Sequence, residues 1–236
     1  MPPLFHFKQF SIDDSQCAMK VGMDAVFLGA WTNIKNAERI LEIGTGSGLI
    51  ALMLAQKSNA LVDAIEIDKQ AFEQAKINIA NSFWKERINV IHSSIQDYCK
   101  SNKTKYDLIV TNPPYFINSY KAPLKKRRIA RHNDLLSHED IINSSLNLLA
   151  NYGRLNLIIS FNEGMIFKTK SETSKLYCNM ITYIKPNANK SPNRLMMEFS
   201  NNNKTLIENE LIIEKAKRHD YTDAYKELTR DFYLSF

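Results

Sequence analysis

Asn112, Pro113, Pro114 and Tyr115 follow directly on YDLIV, a run of strand formers at residues 106–110. The order of types has a chemical use. Asn112 precedes a proline and is pushed out of the α region. Pro113 and Pro114 stiffen the corner and donate no backbone hydrogen bond. Such a corner aims the Asn112 side-chain oxygen and a backbone carbonyl at one point, and Tyr115 offers a face for a flat ring. Two acceptors and a stacking plate suit a planar NH₂ group. Its lone pair is delocalised, so gripping both hydrogens localises the pair on nitrogen and makes it a better nucleophile. The plain alternative is a stiff loop with a packing tyrosine.

A second cluster lies upstream. Of seven glycines in the chain, Gly44, Gly46 and Gly48 crowd into LEIGTGSG. Glycine there lets a strand-to-helix turn take positive φ and lets backbone approach a ligand. A dinucleotide fingerprint requires a third glycine where this chain has Leu49, so the last glycine comes one residue early. Glu42, just before the turn, sits badly with a pyrophosphate and better with a cationic ligand. Glu66, in LVDAIEID (residues 61–68), is placed to accept both hydroxyls of a ribose. Asp97, after the following strand, is placed to receive an adenine amine or a nearby water. An adenosine whose tail is positive rather than phosphorylated is S-adenosylmethionine. A tight turn that binds nothing, or another cofactor, are the alternatives.

The elements that position these residues follow from apolar patterning. RILEIG (39–44), LVDAIEID (61–68), INVIHSSI (88–95), YDLIV (106–110), GRLNLIIS (153–160), CNMITYI (178–184) and RLMMEFS (194–200) read as strands. Helices are expected over 48–58, 69–84, from Ser137 to about Ala150, where Ser137 and Asp140 make a capping box, and over about 162–176. Strands alternating with helices predict an α/β, doubly wound, mostly parallel seven-stranded sheet of Rossmann-like type. NNNKT (201–205) reads as a turn between late strands. One domain over 1–236 is the simplest reading, with residues 1–38 packing over the cofactor side.

Met19, Met23, Val26, Phe27 and Ala30 share one face of a helix in MKVGMDAVFLGAW and read as core. Lys20 and Asp24 lie off that face, where they reach a ligand edge. Tyr221, Tyr225, Leu228 and Phe232 have helical spacing and also read as packing. KAPLKKRRIARHN (121–133) holds Lys121, Lys125, Lys126, Arg127, Arg128 and Arg131 and no acid. Beside the corner at 112–115 these cations suit phosphates; a solvated basic loop is the bland reading. Formal net charge is +6, which fits an anionic partner.

Cys17, Cys99 and Cys178 are far apart and His92, His132 and His219 have no ligand spacing, so neither a disulfide framework nor a metal site is expected. No signal-peptide pattern opens the chain and no apolar run approaches membrane-span length. A cytoplasmic protein follows. The residues leave the oligomeric state open, a monomer being the simplest reading.

EIGTGSG followed by AIEID resembles the first two motifs of the class I methyltransferases, and NPPY resembles the signature of N-methyltransferases acting on adenine, guanine or glutamine. With FKQF, MKVGMDAVFLGAW, ILEIGTGSGLIALMLAQ, NPPYF and YTDAYKELTRDFYL, the chain is similar to the bacterial tRNA adenine-N6 methyltransferases that modify a valine tRNA. The resemblance runs from Phe7 to the C-terminus and is weakest over about 161–205. It implies methylation of the adenine 3′ of the anticodon. Asn112, Pro113, Pro114 and Tyr115 would then surround the base, and Lys20, Glu42, Gly44, Gly46, Gly48, Glu66, Asp97 and Asn112 the cofactor. Met23 stands where a threonine is common and Ala25 where a glycine often stands. A protein-glutamine N5 methyltransferase is the runner-up. It would need a helical N-terminal domain, and only 38 residues precede the first core strand. The remaining alternative is a non-catalytic RNA-binding module on the same scaffold.

Overall fold

The structure, a computed structural model, describes residues 4–114 and 136–235. Tyr115 and the basic tract 121–131 lie outside the described residues. Two short strands, β1 (Phe5–His6) and β2 (Ser11–Ile12), form a hairpin. They are followed by α1 (Met23–Trp31), β3 (Arg39–Ile43), α2 (Leu49–Lys57), β4 (Leu61–Glu66), α3 (Lys69–Ala80), β5 (Ile88–His92), α4 (Ile95–Ser101) and β6 (Tyr106–Thr111). After the undescribed stretch come α5 (His138–Leu148), β7 (Leu149–Ser160), α6 (Phe161–Thr173), β8 (Tyr177–Asn187), β9 (Arg194–Ser200), β10 (Ile207–Glu214) and α7 (Asp223–Thr229).

The α/β class is as expected, but among the described residues the main sheet has eight strands, not seven, in the order β10-β8-β9-β7-β6-β3-β4-β5. The pairs from β7 through β6, β3 and β4 to β5 are all parallel. β9 is antiparallel to both β7 and β8, and β10 returns to a parallel pairing with β8. The added strand, β10, escapes apolar patterning because its first four residues are all exposed at the sheet edge.

Each central strand divides its side chains between two cores. In β3, Ile40 packs with α1 and α2, whereas Leu41 and Ile43 pack on the other face with residues of α4, α5 and α6. Burial on both faces is why these strands read as continuous apolar runs. Helix α2 is buried from Leu49 to Ala55, so its Leu, Ile and Met content reflects enclosure all round. The Ser137–Asp140 capping box is present in both directions.

The chain order reverses between β3 and β6, which sit side by side. In an open α/β sheet that junction leaves a crevice beyond the carboxyl ends of the strands. The turn 44–48 leaves β3 there, Glu66 ends β4 there, and Asn112 leaves β6 there. Thr111 donates its hydroxyl hydrogen to the Ile43 carbonyl at 2.9 Å, locking the two strand ends together.

Candidate active site

Two adjoining cavities of about 270 and 260 Å³ occupy this crevice, and Met19, Gly44, Gly46 and Asn112 line both. The first is mostly apolar. Ile43, Ile65, Ile67, Ala71 and Ile95 wall it, with Glu66, Asp68 and Ser94 at its margin and Pro114 and Leu136 on its far side. The second is polar, with Lys20, Asp24, Glu42, Thr45 and Ser47 in its walls. A flat apolar-faced ring suits the first and a charged tail the second. Asn112 stands where they meet.

The turn is held by its own polar groups. Gly44, Gly46 and Gly48 all have positive φ, of 75°, 56° and 85°. The Gly46 N–H donates to Glu66 Oε2 at 2.8 Å and the Asp68 N–H to Glu66 Oε1 at 2.9 Å. Glu66 therefore spends one lone pair of each oxygen on backbone and keeps others for a ligand. Thr45 donates to Glu42 Oε2 at 2.6 Å. Glu42 is 1% exposed, and burial raises its carboxyl to about 7 against the relief from Thr45. It has no ion-pair partner among the described residues. A buried carboxylate facing a polar cavity whose lysine, Lys20, is turned to Asp14 is a fit for a positively charged ligand. Cys17 lines the apolar cavity, and burial, then the nearby Glu66 charge, push its thiol up to about 11.

The segment before α1 forms the outer wall of both cavities. It is tethered by Asn78 of α3, which is buried. Asn78 Nδ2 donates to the carbonyls of Asp13 and Ser47, each at 2.8 Å, and Oδ1 accepts the Asp13 N–H at 3.0 Å. One side chain thus joins the wall to the glycine turn. The wall is further closed by the Val21 N–H donating to Asp14 Oδ2 at 2.7 Å and by Lys20 Nζ donating to the Asp14 carbonyl, also at 2.7 Å.

The structure brings Lys20, Glu42, Gly44, Gly46, Glu66, Asn112 and Pro114 to the crevice, with Pro113 buried beneath. Two expected cofactor residues stand elsewhere. Gly48 is the left-handed N-cap of α2 and faces α3, where an added Cβ would meet Ile79 Cδ1 at 3.3 Å. Its absent side chain serves helix packing. Asp97 lines neither cavity. Ser94 is the N-cap of α4 and accepts the Asp97 N–H; the Asp97 carboxylate is exposed, bound to Ser94 Oγ and to Lys100 Nζ, each at 2.9 Å. The strand expected over 88–95 ends at His92, and the S-x-x-D cap was the signal for the helix that begins there.

Met19 and Met23 also depart from expectation. Val26 and Phe27 are core, but both methionines are half exposed and line the cavities. Cys17, Asp68, Ser93 and Gln96 are lining residues with no spacing signal in the sequence. Tyr225 and Phe232 are buried and Tyr221 and Leu228 pack on the same core, as the helical spacing implied.

Residues 24–173 match the family described as Methyltransferase small domain. Over 98% of both chains the protein is similar to relatives from Bacteroides thetaiotaomicron, at 44% identity, and Trichodesmium erythraeum, at 43%. Each is named tRNA1(Val) (adenine(37)-N6)-methyltransferase. The chain belongs to this methyltransferase family. Solved structures agree on the fold. A predicted O-methyltransferase from Agrobacterium tumefaciens matches with a TM-score of 0.70 at 19% identity, over 89% of this chain and 96% of that one. The N-terminal domain of human METTL16, solved in complex with SAH, matches with a TM-score of 0.55 at 17% identity, over 82% and 76%. No helix among the described residues is long and apolar enough to cross a membrane.

Proposed function

We propose that the protein methylates N6 of adenine 37, the adenine 3′ of the anticodon, in a valine tRNA, using S-adenosylmethionine, in the cytoplasm. The observation that carries the reading is the position of Asn112 on the shared wall of an apolar and a polar cavity. The residues suit the cofactor. The apolar cavity with Glu66 at its edge would take adenosine, and the polar cavity with Glu42 the cationic methionine end. When bound, the cofactor supplies an electrophilic methyl group.

This chain's residues do the rest by positioning. The Asn112 side-chain oxygen and the Pro113 carbonyl would accept the two N6 hydrogens of the target adenine, with Tyr115 stacking on its ring. That grip draws the nitrogen towards tetrahedral geometry and stabilises positive charge as it develops. The proton lost afterwards is already acidic, so no strong base is required. Residues 17–25 wall the donor side.

The test is nucleoside mass spectrometry of tRNA incubated with the protein and cofactor, which should show methyl-N6-adenosine at the anticodon loop. Labelled methyl appearing in a release factor and not in tRNA would instead favour glutamine methylation. The names of the relatives support the RNA reading over that one.

A further inference from the structure

The cavities do not account for how an RNA is held while one of its bases occupies the crevice. β7 and β8 both run antiparallel to β9, and β10 runs parallel to β8. The carboxyl ends of β8 and β10 therefore point the same way as those of β3 and β6. In the ladder Glu214 lies opposite Asn187, so the β8–β9 hairpin tip and the β10–α7 loop leave the sheet side by side on the crevice edge. The hairpin is also joined to the crevice. Arg194, at its base, holds Asp24 of the polar cavity at 3.0 Å, and the Phe161 N–H donates to the Asn193 carbonyl at 3.2 Å.

The charges on these two loops sort by partner. Lys185 is paired with Glu210 at 2.5 Å. Lys215 stands between Asp220 and Asp223 at 3.9 Å from each, and Glu214 accepts the His219 N–H at 2.9 Å. Lys190, Lys217 and Arg218 are exposed and have no ion-pair partner among the described residues. Over 188–193 and 215–222 the two loops carry Lys190, Lys215, Lys217 and Arg218 against the single acid Asp220, a clear positive excess. Exposed Asn189, Ser191 and Asn193 lie beside them and add uncharged groups of the kind that bind phosphate and sugar.

Resting on the RNA substrate assigned above, we propose that the β8–β9 hairpin and the β10–α7 loop form a tRNA-docking rim, with Lys190, Lys217 and Arg218 as its phosphate contacts. Charge alone does not single it out. Lys35 and Lys204 are exposed too, around a separate cavity of about 430 Å³ at the opposite edge of the sheet. Position decides. An RNA with its adenine at Asn112 runs its neighbouring phosphates along the crevice edge, whereas the far edge lies a strand length away, roughly 20 Å for six residues.

The experiment compares a triple variant, Lys190→Glu, Lys217→Glu and Arg218→Glu, with a far-edge control, Lys35→Glu and Lys204→Glu. All five residues are exposed, so folding is not at stake. In the triple variant KM for tRNA should rise on the order of 10- to 100-fold. The slope of log affinity against log salt should become shallower by about two to three. kcat at saturating tRNA and S-adenosylmethionine affinity should stay at wild-type values, and the far-edge control should match wild type in every measure. A triple variant with wild-type KM and salt slope overturns the proposal, as does a far-edge control that weakens equally. If the wild-type protein binds S-adenosylmethionine but leaves tRNA unmethylated, the substrate assignment fails first and the rim falls with it.

Discussion

The glycine turn on the donor side is held by hydrogen bonds that stay within residues 42–78, from Thr45 to Glu42, from Gly46 and Asp68 to Glu66, and from Asn78 to Ser47. The acceptor side is gathered from residues 112–114 and, at its rim, 187–194, while residues 17–25 wall the donor cavities. The donor turn is wired within one contiguous stretch, β3 to α3. An acceptor site drawn from distant segments depends on the whole sheet, and its parts can vary with the substrate while the donor site stays the same.

That contrast makes different substitutions fail in different ways. The largest effect should follow Asn112→Ala. If the side chain stabilises charge that develops only during transfer, kcat falls on the order of 10²- to 10³-fold while cofactor affinity changes little. Single-turnover methylation and calorimetry on one preparation separate the two. A variant that loses cofactor binding and rate together would move Asn112 to the donor side. Next is Glu66→Ala, which removes the anchor of the glycine turn and a ribose acceptor at once. Cofactor affinity should drop roughly 10- to 100-fold, since a hydrogen bond to a charged group is worth about 1.5–3 kcal/mol. At saturating cofactor kcat should recover. Failure to recover would mean that the turn also positions the reacting atoms.

The same contrast explains what was legible in the sequence. Gly44, Gly46, Glu42 and Glu66 could be read because a strand, a turn and a second strand place them by local geometry. Asn112–Pro114 could be read for a similar reason, as a stiff corner at a strand end. Met19 and Met23 could not be assigned, because Met19 lies before α1 and helical period does not say whether protein covers a face. Asp97 lies off both cavities because an acid after a strand can also sit in the first turn of a helix, and here Ser94 three residues earlier caps that helix. Asn78 gives no local signal at all. Its partners, Asp13 and Ser47, meet it only through tertiary folding.

Gly48→Ala tests the donor side more gently. A left-handed φ of 85° is strained for a residue with a Cβ, by about 1–2 kcal/mol, and the new methyl would press on Ile79 at 3.3 Å. Urea unfolding should show a lower midpoint with an unchanged slope. Cofactor affinity of the folded variant should stay near wild type, because Gly48 faces α3 and not the cavities. A large loss of affinity without loss of stability would put Gly48 back in the binding site.

The smallest effect is also the most diagnostic. The Glu42 carboxyl ordinarily titrates near 4.5, and burial in the fold raises it to about 7. Between those values the folded protein keeps a proton that the unfolded chain has released, so this residue's contribution to stability falls as pH rises from 4.5 to about 7 and is level above. A cationic ligand prefers the ionised carboxylate, so its affinity should climb over the same range, about tenfold between pH 6 and pH 8. Glu42→Gln should flatten both trends, melting higher than wild type above pH 7 without cofactor and binding S-adenosylmethionine more weakly at pH 8. Titration calorimetry of both proteins across that range removes the ligand's own ionisation, which is common to the two. Parallel pH profiles would show that Glu42 does not face the positive charge, and the polar cavity would then need a different anion for the methionine end.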